Sequence, residues 1–183
     1  MMKKIVFTAS LIISLSARAT APIFSCNDGV ASFISYAELE IIKARSNQLR
    51  GAIDVNARTF LFAIEVNTFK GFNSGLQQEH FAENYMETEK FPDATFRGKF
   101  IEEVDLAKDG VYTVRAKGML RLHGVQQERI INGSIEVKNG IMRVHSQFSV
   151  LLEDHNITVP RIVYQKISPE IEVTIDATFK PTK

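Results

Sequence analysis

The 183-residue sequence contains one cysteine and no tryptophan, and its opposite charges nearly cancel. The single thiol, Cys26, excludes an internal disulfide and argues against a structural zinc site. Lysine and arginine total 22 against 21 aspartate and glutamate, so the formal net charge is +1. Because such a balance creates no basic field, we expect no nucleic-acid partner.

No apolar run in the sequence is long enough to span a bilayer, and the longest one reads as an export signal. Lys3 and Lys4 form a basic start, residues 5–15 form a short apolar region, and Ala17-Arg18-Ala19 fits the small-x-small cleavage pattern. We therefore predict a signal peptide over residues 1–19, removed after Ala19, and no membrane span. The mature domain, residues 22–183, would then be periplasmic or secreted.

The aromatic residues are mostly phenylalanine, with 13 Phe against 4 Tyr. Phenylalanine supplies a large apolar area with no polar atom to satisfy, which suits a packed core or an apolar cavity equally well. Composition alone therefore leaves both interiors open.

Alternation of apolar and polar side chains with period two runs through most of the chain and is typical of strands buried on one face. The segments that show it are residues 30–36, 38–44, 48–55, 58–66, 95–104, 111–123, 125–137, 141–152 and 171–179. Several of these are longer than the usual strand of about six residues, which favours a closed barrel over a sandwich. We predict an all-β fold, an eight-stranded antiparallel barrel.

Turn signals separate these segments. Asp109-Gly110 and Asn139-Gly140 predict two-residue hairpin turns. Asn27-Asp28-Gly29 predicts a turn that opens the first strand.

Residues 69–96 interrupt the β pattern, and they carry several of the phenylalanines. Ser74 and Gln77 have the spacing of a capping box, which predicts a short helix from about Ser74. We expect a break and then one further turn near residues 81–85, with extended chain before Pro92. A helix in an otherwise all-β chain suggests a short helical segment that covers the barrel mouth.

Signatures of catalysis are weak. The sequence has no Gly-x-Ser-x-Gly, no phosphate-binding glycine loop and no pair of histidines at metal-ligand spacing. His80 and His123 could bind a polar headgroup, serve as titratable groups in an isomerase or cyclase, or simply bind a backbone carbonyl. We predict no catalytic residues and no metal ligands.

Two central motifs resemble the YceI-like, polyisoprenoid-binding family. The first comprises Gln78-Glu79-His80-Phe81, Tyr85-Met86 and Lys90-Phe91-Pro92-Asp93-Ala94-Thr95-Phe96, and the second is Gly118-Met119-Leu120-Arg121-Leu122-His123-Gly124-Val125. Residues 30–33 and 48–54 also resemble strands of that family. Gln126-Gln127 departs from it, since members often carry Thr-Lys there.

The resemblance implies a lipocalin-like barrel with an elongated apolar pocket for a long-chain isoprenoid or similar lipid, in an exported protein without enzymatic activity. It implies no cofactor beyond a bound lipid such as an isoprenoid quinone or polyprenyl chain. We keep a homodimer open, and as an alternative function a barrel that fills its own core and acts through protein contacts. The predicted ligand-binding residues are Phe33, Phe60, Phe62, Ile64, Phe72, Leu76, His80, Phe81, Phe96, Phe100, Leu120, Leu122, Phe148, Val150, Val173 and Ile175.

Overall fold

The alternating segments form eight strands in the computed structural model, which describes residues 23–182. Each strand pairs antiparallel with its neighbour in sequence, and the first pairs with the last, so that the barrel is closed. The strands are β1 (Ile23–Tyr36), β2 (Ile41–Asp54), β3 (Thr59–Glu65), β4 (Asp93–Phe100), β5 (Gly110–Leu122), β6 (Val125–Lys138), β7 (Ile141–Leu151) and β8 (Glu170–Pro181). The predicted eight-stranded antiparallel barrel with one short helical segment is confirmed.

The predicted signal peptide, residues 1–19, lies outside the described residues. Within residues 23–182, none of the helices is long and apolar enough to cross a membrane.

Strand β1 begins earlier than predicted, because the Asn27-Asp28-Gly29 sequence is a bulge inside it and not a turn before it. The pairing with β2 shifts register on both sides of Gly29, which accommodates extra residues without ending the strand. A Cβ on Gly29 would lie 3.1 Å from Cβ of Ala177 on β8, so glycine lets the two strands approach. The two strands predicted within residues 38–55 are likewise one strand, β2.

Of the two predicted hairpin turns, one is present in the structure and the other is not. Asn139 and Gly140 have φ angles of 51° and 71° and join β6 to β7, which confirms that hairpin. The Asp109-Gly110 hairpin is wrong, because β4 ends at Phe100 and residues 101–109 form a long link before β5. The Asp109 carboxylate instead accepts a hydrogen bond from the backbone N–H of Asn139, at 3.1 Å.

The two ends of the barrel differ in how they are closed. One end carries the short links 55–58 and 139–140, the 101–109 link and both ends of the described chain. The other carries the two longest links, residues 66–92 and 152–169, together with the tight turns 37–40 and 123–124. The long links therefore gather at one end, which we call the open end.

The half of the barrel away from the open end is a packed core. Ile53, Ile135, Met142 and Phe179 are each 0% exposed there. Gly51 makes room for this layer, since a Cβ at that position would lie 2.7 Å from the Phe179 ring. The buried side chains of Ile53, Met142 and Phe179 fill that half of the barrel.

Candidate functional site, an apolar cavity at the open end

The open half of the barrel holds a cavity of about 570 Å³. The predicted ligand-binding residues in its walls are Phe33 from β1, Phe62 and Ile64 from β3, Phe96 and Phe100 from β4, Leu120 and Leu122 from β5, Phe148 and Val150 from β7, and Val173 and Ile175 from β8. Its cover contains Phe72, Leu76, His80 and Phe81. Binding sites for small molecules typically measure about 300–1,000 Å³ and are mostly apolar. The cavity has the size and lining of such a site.

Phe60 is the one predicted ligand residue that does not line the cavity. It is 4% exposed, and its ring centroid lies 4.9 Å from that of Phe96 and 5.2 Å from that of Phe100. Its partner on β4 is Gly98, which in turn faces Gly118 on β5, and neither glycine has room for a side chain. The ring of Phe60 therefore packs between Phe96 and Phe100 in the core next to the cavity.

The helical segment over the cavity begins as the sequence predicts. The backbone N–H of Gln77 donates to Oγ of Ser74 at 3.1 Å and starts helix α1 (Gly75–His80). In a capping box the Gln77 side chain would accept a hydrogen bond from the backbone N–H of Ser74. Here it accepts from the N–H of Asn73 instead, at 3.0 Å. The predicted break is absent, and α1 runs directly into one π-helical turn, Phe81–Tyr85.

A cluster of aromatic rings holds this segment against the barrel. The ring centroid of Phe81 lies 5.4 Å from that of Phe33 on β1, 6.1 Å from that of Phe69 and 5.0 Å from that of Phe72. Each such pair stabilises the contact by about 0.5–1.5 kcal/mol beyond simple burial. These ring contacts therefore hold the helical segment against the barrel, and the same rings form the roof of the cavity.

The far end of the segment is fixed by contacts between the two signature motifs. The Phe91 ring lies 4.6 Å from the His123 ring, and a Cβ on Gly124 would lie 2.6 Å from it. Nε2 of His123 lies 2.9 Å from a carboxylate oxygen of Glu87, and its Nδ1 donates to the carbonyl of His155 at 3.0 Å. His123 is thus an anchor that binds a backbone carbonyl, and it does not line the cavity.

The Glu87 carboxylate is held in its ionised form at this anchor. A hydrogen bond from Lys90 and then one from His123 lower the pKa of Glu87 from its ordinary value. The Lys90 ammonium lies 2.9 Å from it. The Glu87 carboxylate therefore remains ionised throughout the neutral range.

Polar groups line the cavity mainly near its mouth. The Glu40 carboxylate accepts hydrogen bonds from the side chains of Gln77, at 3.1 Å, and Asn73, at 3.2 Å. His80 and Lys166 also line the cavity and are exposed. A ligand with its chain inside the barrel would have its polar group among these side chains.

Tyr85 lines the cavity beneath the cover and was missed by sequence reasoning. Burial raises the pKa of its phenol, which therefore remains neutral and able to donate a hydrogen bond at neutral pH. The alternation of strands gives no signal for it, since it lies in a helical turn.

Side chains close part of the cavity wall between β6 and β7. Strand β6 pairs with β5 along almost its whole length but with β7 only along its last six residues. Beyond that ladder, the Arg129 guanidinium donates to the carbonyl of Ser149 at 2.7 Å, and the Gln127 amide donates to the carbonyl of Asp154 at 2.8 Å. Gln127, which lies where the sequence departs from the motif it resembles, is thus part of this closure.

The link between β7 and β8 supplies lining that alternation could not predict. Leu152, Ile157, Val163, Lys166 and Ile167 all face the cavity from this irregular stretch. The only signal for them is the helix-like spacing of Val163 and Ile167, four residues apart, in the 3₁₀ turn Arg161–Val163 and the turn after it.

His155 lies in the same link and is 0% exposed. Neither of its ring nitrogens has a hydrogen-bond partner among the described residues. Burial lowers the pKa of His155, and the backbone groups of Leu122 and Val125 only partly oppose this effect. The His155 ring is therefore neutral at pH 7.

No three side chains of His, Cys, Asp or Glu within residues 23–182 cluster as a metal site would require. The titratable groups that face the cavity are Glu40, His80, Tyr85 and Lys166.

Comparison with known sequences gave one family. The sequence model of the YceI-like domain matches residues 28–179. A search of curated proteins found no significant match.

Solved structures with the same architecture were also found. A polyisoprenoid binding domain from Saccharophagus degradans, implicated in plant cell wall breakdown, superposes with a TM-score of 0.73 at 16% identity, covering 88% of this chain and 99% of that one. BcnA from Burkholderia cenocepacia gives 0.66 at 12% identity, covering 82% and 95%. The YCEI protein from Campylobacter jejuni gives 0.55 at 14% identity, covering 100% and 99%. At these identities the likeness shows the fold.

Proposed function

The chain belongs to the YceI-like domain family, and we propose that it is an exported lipid-binding protein that holds a long-chain isoprenoid or a similar amphiphile in the barrel cavity. The observation that carries the proposal is the apolar cavity of about 570 Å³ that remains open in a barrel whose other half is filled by buried side chains. The S. degradans relative, described as polyisoprenoid binding, supports the same ligand class.

The lining favours long apolar chains over short ones. Each methylene moved from water into such a site contributes about 0.8 kcal/mol. Association costs about 4–15 kcal/mol in lost translational and rotational freedom, which a short chain cannot offset. Because phenylalanine side chains form few hydrogen bonds, the cavity would select its ligand by the length and width of the apolar chain.

The polar group of the ligand would lie at the mouth. Glu40, Gln77, His80 and Lys166 line the cavity there and offer both donors and acceptors. Lys166 forms no ion pair with another described residue, which leaves its ammonium available to an acidic or carbonyl headgroup.

The two other functions considered have less support. A barrel that fills its own core requires normal packing throughout, whereas only the closed half is packed in this way. An isomerase or cyclase needs a titratable group inside the pocket, for which His80 and His123 were the two candidates. His123 lies outside the cavity and both of its ring nitrogens are engaged.

Titration of delipidated protein with an isoprenoid quinone and a fatty amide tests the proposal. Ala116 lines the cavity between Phe100 and Ile131, so that Ala116→Leu should reduce uptake by filling space. Thr113→Leu on the exposed face of the same strand is the matched control. Uptake of neither ligand by the wild type, or equal uptake by both variants, would contradict a ligand site in this cavity.

A further inference from the structure

Two neighbouring strands separate at the open end of the barrel. The backbone ladder between β6 and β7 joins residues 133–138 to residues 141–146 and goes no further. Beyond it, β6 remains paired with β5, and β7 remains paired with β8. We call the stretches of these two strands that face each other without a ladder, residues 127–132 and 147–151, the seam.

Three side-chain hydrogen bonds cross the seam in place of the missing ladder. Oγ of Ser146 donates to the carbonyl of Asn132 at 2.7 Å, where the ladder ends. Farther along, the Arg129 guanidinium donates to the carbonyl of Ser149 at 2.7 Å, and Gln127 donates to a carbonyl of the β7–β8 link at 2.8 Å. The two sides of the seam are therefore held by side chains, each of which can release its carbonyl without breaking a backbone pair.

The boundary between β2 and β3 is also incomplete at the open end, but there the chain itself closes it. Its ladder joins residues 50–54 to residues 59–63. Beyond that ladder, the backbones of Arg45 and Lys70 exchange two hydrogen bonds, at 2.8 and 2.9 Å. Opening that boundary would break backbone pairing, whereas opening the seam would not. The seam is therefore the weaker part of the barrel wall.

The cavity lies directly behind the seam. Ile131 of β6 lines it on one side, and Phe148 and Val150 of β7 line it on the other. Gln127 and Arg129 lie on the same side of β6 as Ile131, because side chains alternate along a strand, and both are half-buried. Two polar side chains therefore stand in the barrel wall beside an apolar cavity.

We propose that the seam is a lateral portal through which the apolar chain of the ligand enters and leaves the cavity, with Arg129 and Gln127 as its latch. Breaking the two latch bonds lets β6 and β7 part while each keeps its pairing with its other neighbour. Ile130 and Leu151, on the outer side of the two strands, are 55% and 38% exposed, so that a passing chain meets apolar groups on both faces of the wall. This inference rests on the proposed function, since it names the route by which the same ligand is exchanged.

Stopped-flow exchange of a fluorescent long-chain isoprenoid with detergent micelles tests the latch. Arg129→Ala with Gln127→Ala should speed uptake and release about tenfold, the change expected when about 1.4 kcal/mol of hydrogen bonding no longer opposes opening. The Kd should be unchanged, because neither side chain lines the cavity and both rates rise together. Arg121→Ala with Gln126→Ala is the matched control, since these residues are exposed partners on β5 and β6. Equal rates for the two double variants would overturn the inference.

A chemical link across the seam tests the portal without touching the latch. Continuing the β6–β7 register places Ile130 opposite Ser149, both on the outer side of the wall. In a Cys26→Ala background, Ile130→Cys and Ser149→Cys joined by a short bismaleimide should slow uptake and release about tenfold or more relative to the unlinked protein, because the opening step is blocked. Gln147→Cys with Thr174→Cys, which pair in the β7–β8 ladder, is the control for the linker.

The outcomes separate the route of exchange from lipid binding itself. Equal exchange by the linked and unlinked proteins would overturn the portal and assign the route to the mouth beneath the cover, while lipid binding would stand. A rise in Kd that matches the rise in release rate of the latch variant, with uptake unchanged, would show that the two side chains hold the bound ligand and would overturn the latch. No uptake of the isoprenoid by the wild type would instead overturn the proposed function.

Discussion

Replacing two neighbouring phenylalanines separates the cavity from the core. The Phe62 and Phe179 ring centroids lie 5.6 Å apart at an interplanar angle of 84°. Phe62 is half-buried and lines the cavity, whereas Phe179 is 0% exposed in the packed layer below. Phe179→Ala should therefore lower the free energy of unfolding by about 3–5 kcal/mol, as expected for a phenylalanine removed from a core.

Phe62→Ala should have a smaller effect on stability and a larger one on binding. Its ring packs against Phe60 and Phe179 but also borders the cavity, so that the loss in unfolding free energy should be about 2 kcal/mol. A bound chain would lose contact over roughly two methylenes, about 1.6 kcal/mol, which weakens its Kd about 15-fold.

Urea unfolding of the ligand-free proteins and lipid titration measure the two effects. Leu61→Ala is the control, because Leu61 is 46% exposed on the outer face of the same strand. A loss of stability as large for Phe62→Ala as for Phe179→Ala, with unchanged lipid affinity, would refute the reasoning and assign Phe62 to the core.

Three further predictions concern the cover and its support. Because burial lowers the pKa of His155, the unfolded chain binds more protons than the folded one near and below the ordinary value of 6.5, so stability should fall as the pH drops through that value. Denaturation at pH 7.5 and 5.5, conditions chosen to lie about one unit on either side of it, should show this loss for the wild type and a smaller one for His155→Leu. Glu87→Gln removes the charge facing His123, and hydrogen exchange of residues 70–91 should quicken; unchanged protection would mean that the aromatic rings alone hold the cover. Replacing Leu76 and Phe81 by serine should speed lipid release in stopped-flow measurements while the barrel loses little stability, and an unchanged release rate would show that the cover is not a barrier.

Alternation was enough to predict the barrel because it is a property of single strands. In the predicted alternation of residues 171–179 on β8, Ala177 and Phe179 lie on the face that the structure buries, and Val173 and Ile175 on that face line the cavity. The same signal predicted the walls of the cavity, from Phe33 to Ile175. Alternation could not show that Phe62 lines the cavity whereas Phe60 does not, because both side chains point to the same side of β3. What separates them is the glycine pair at 98 and 118, a contact across two strands that one sequence does not reveal.

The features that were missed depend on irregular backbone. Asp109-Gly110 has the composition of a hairpin turn, but the register of β4 and β5 is set by their pairing, so the connection is a long link. Tyr85 and Lys166 lie in turns without a repeating pattern, and their positions follow from packing on the barrel end. The bond from His123 to the carbonyl of His155 joins residues 32 apart, which no local signal predicts.

Native mass spectrometry of the protein as purified, followed by solvent extraction, tests the central claim most directly. A long-chain isoprenoid or similar amphiphile in the cavity predicts a mass above that of the chain, lost on extraction and accompanied by an apolar compound in the solvent. Delipidated protein should regain that mass when mixed with the extract, and Ala116→Leu should regain less of it. A protein that carries no lipid and takes none up from isoprenoid quinones or fatty amides would contradict the account.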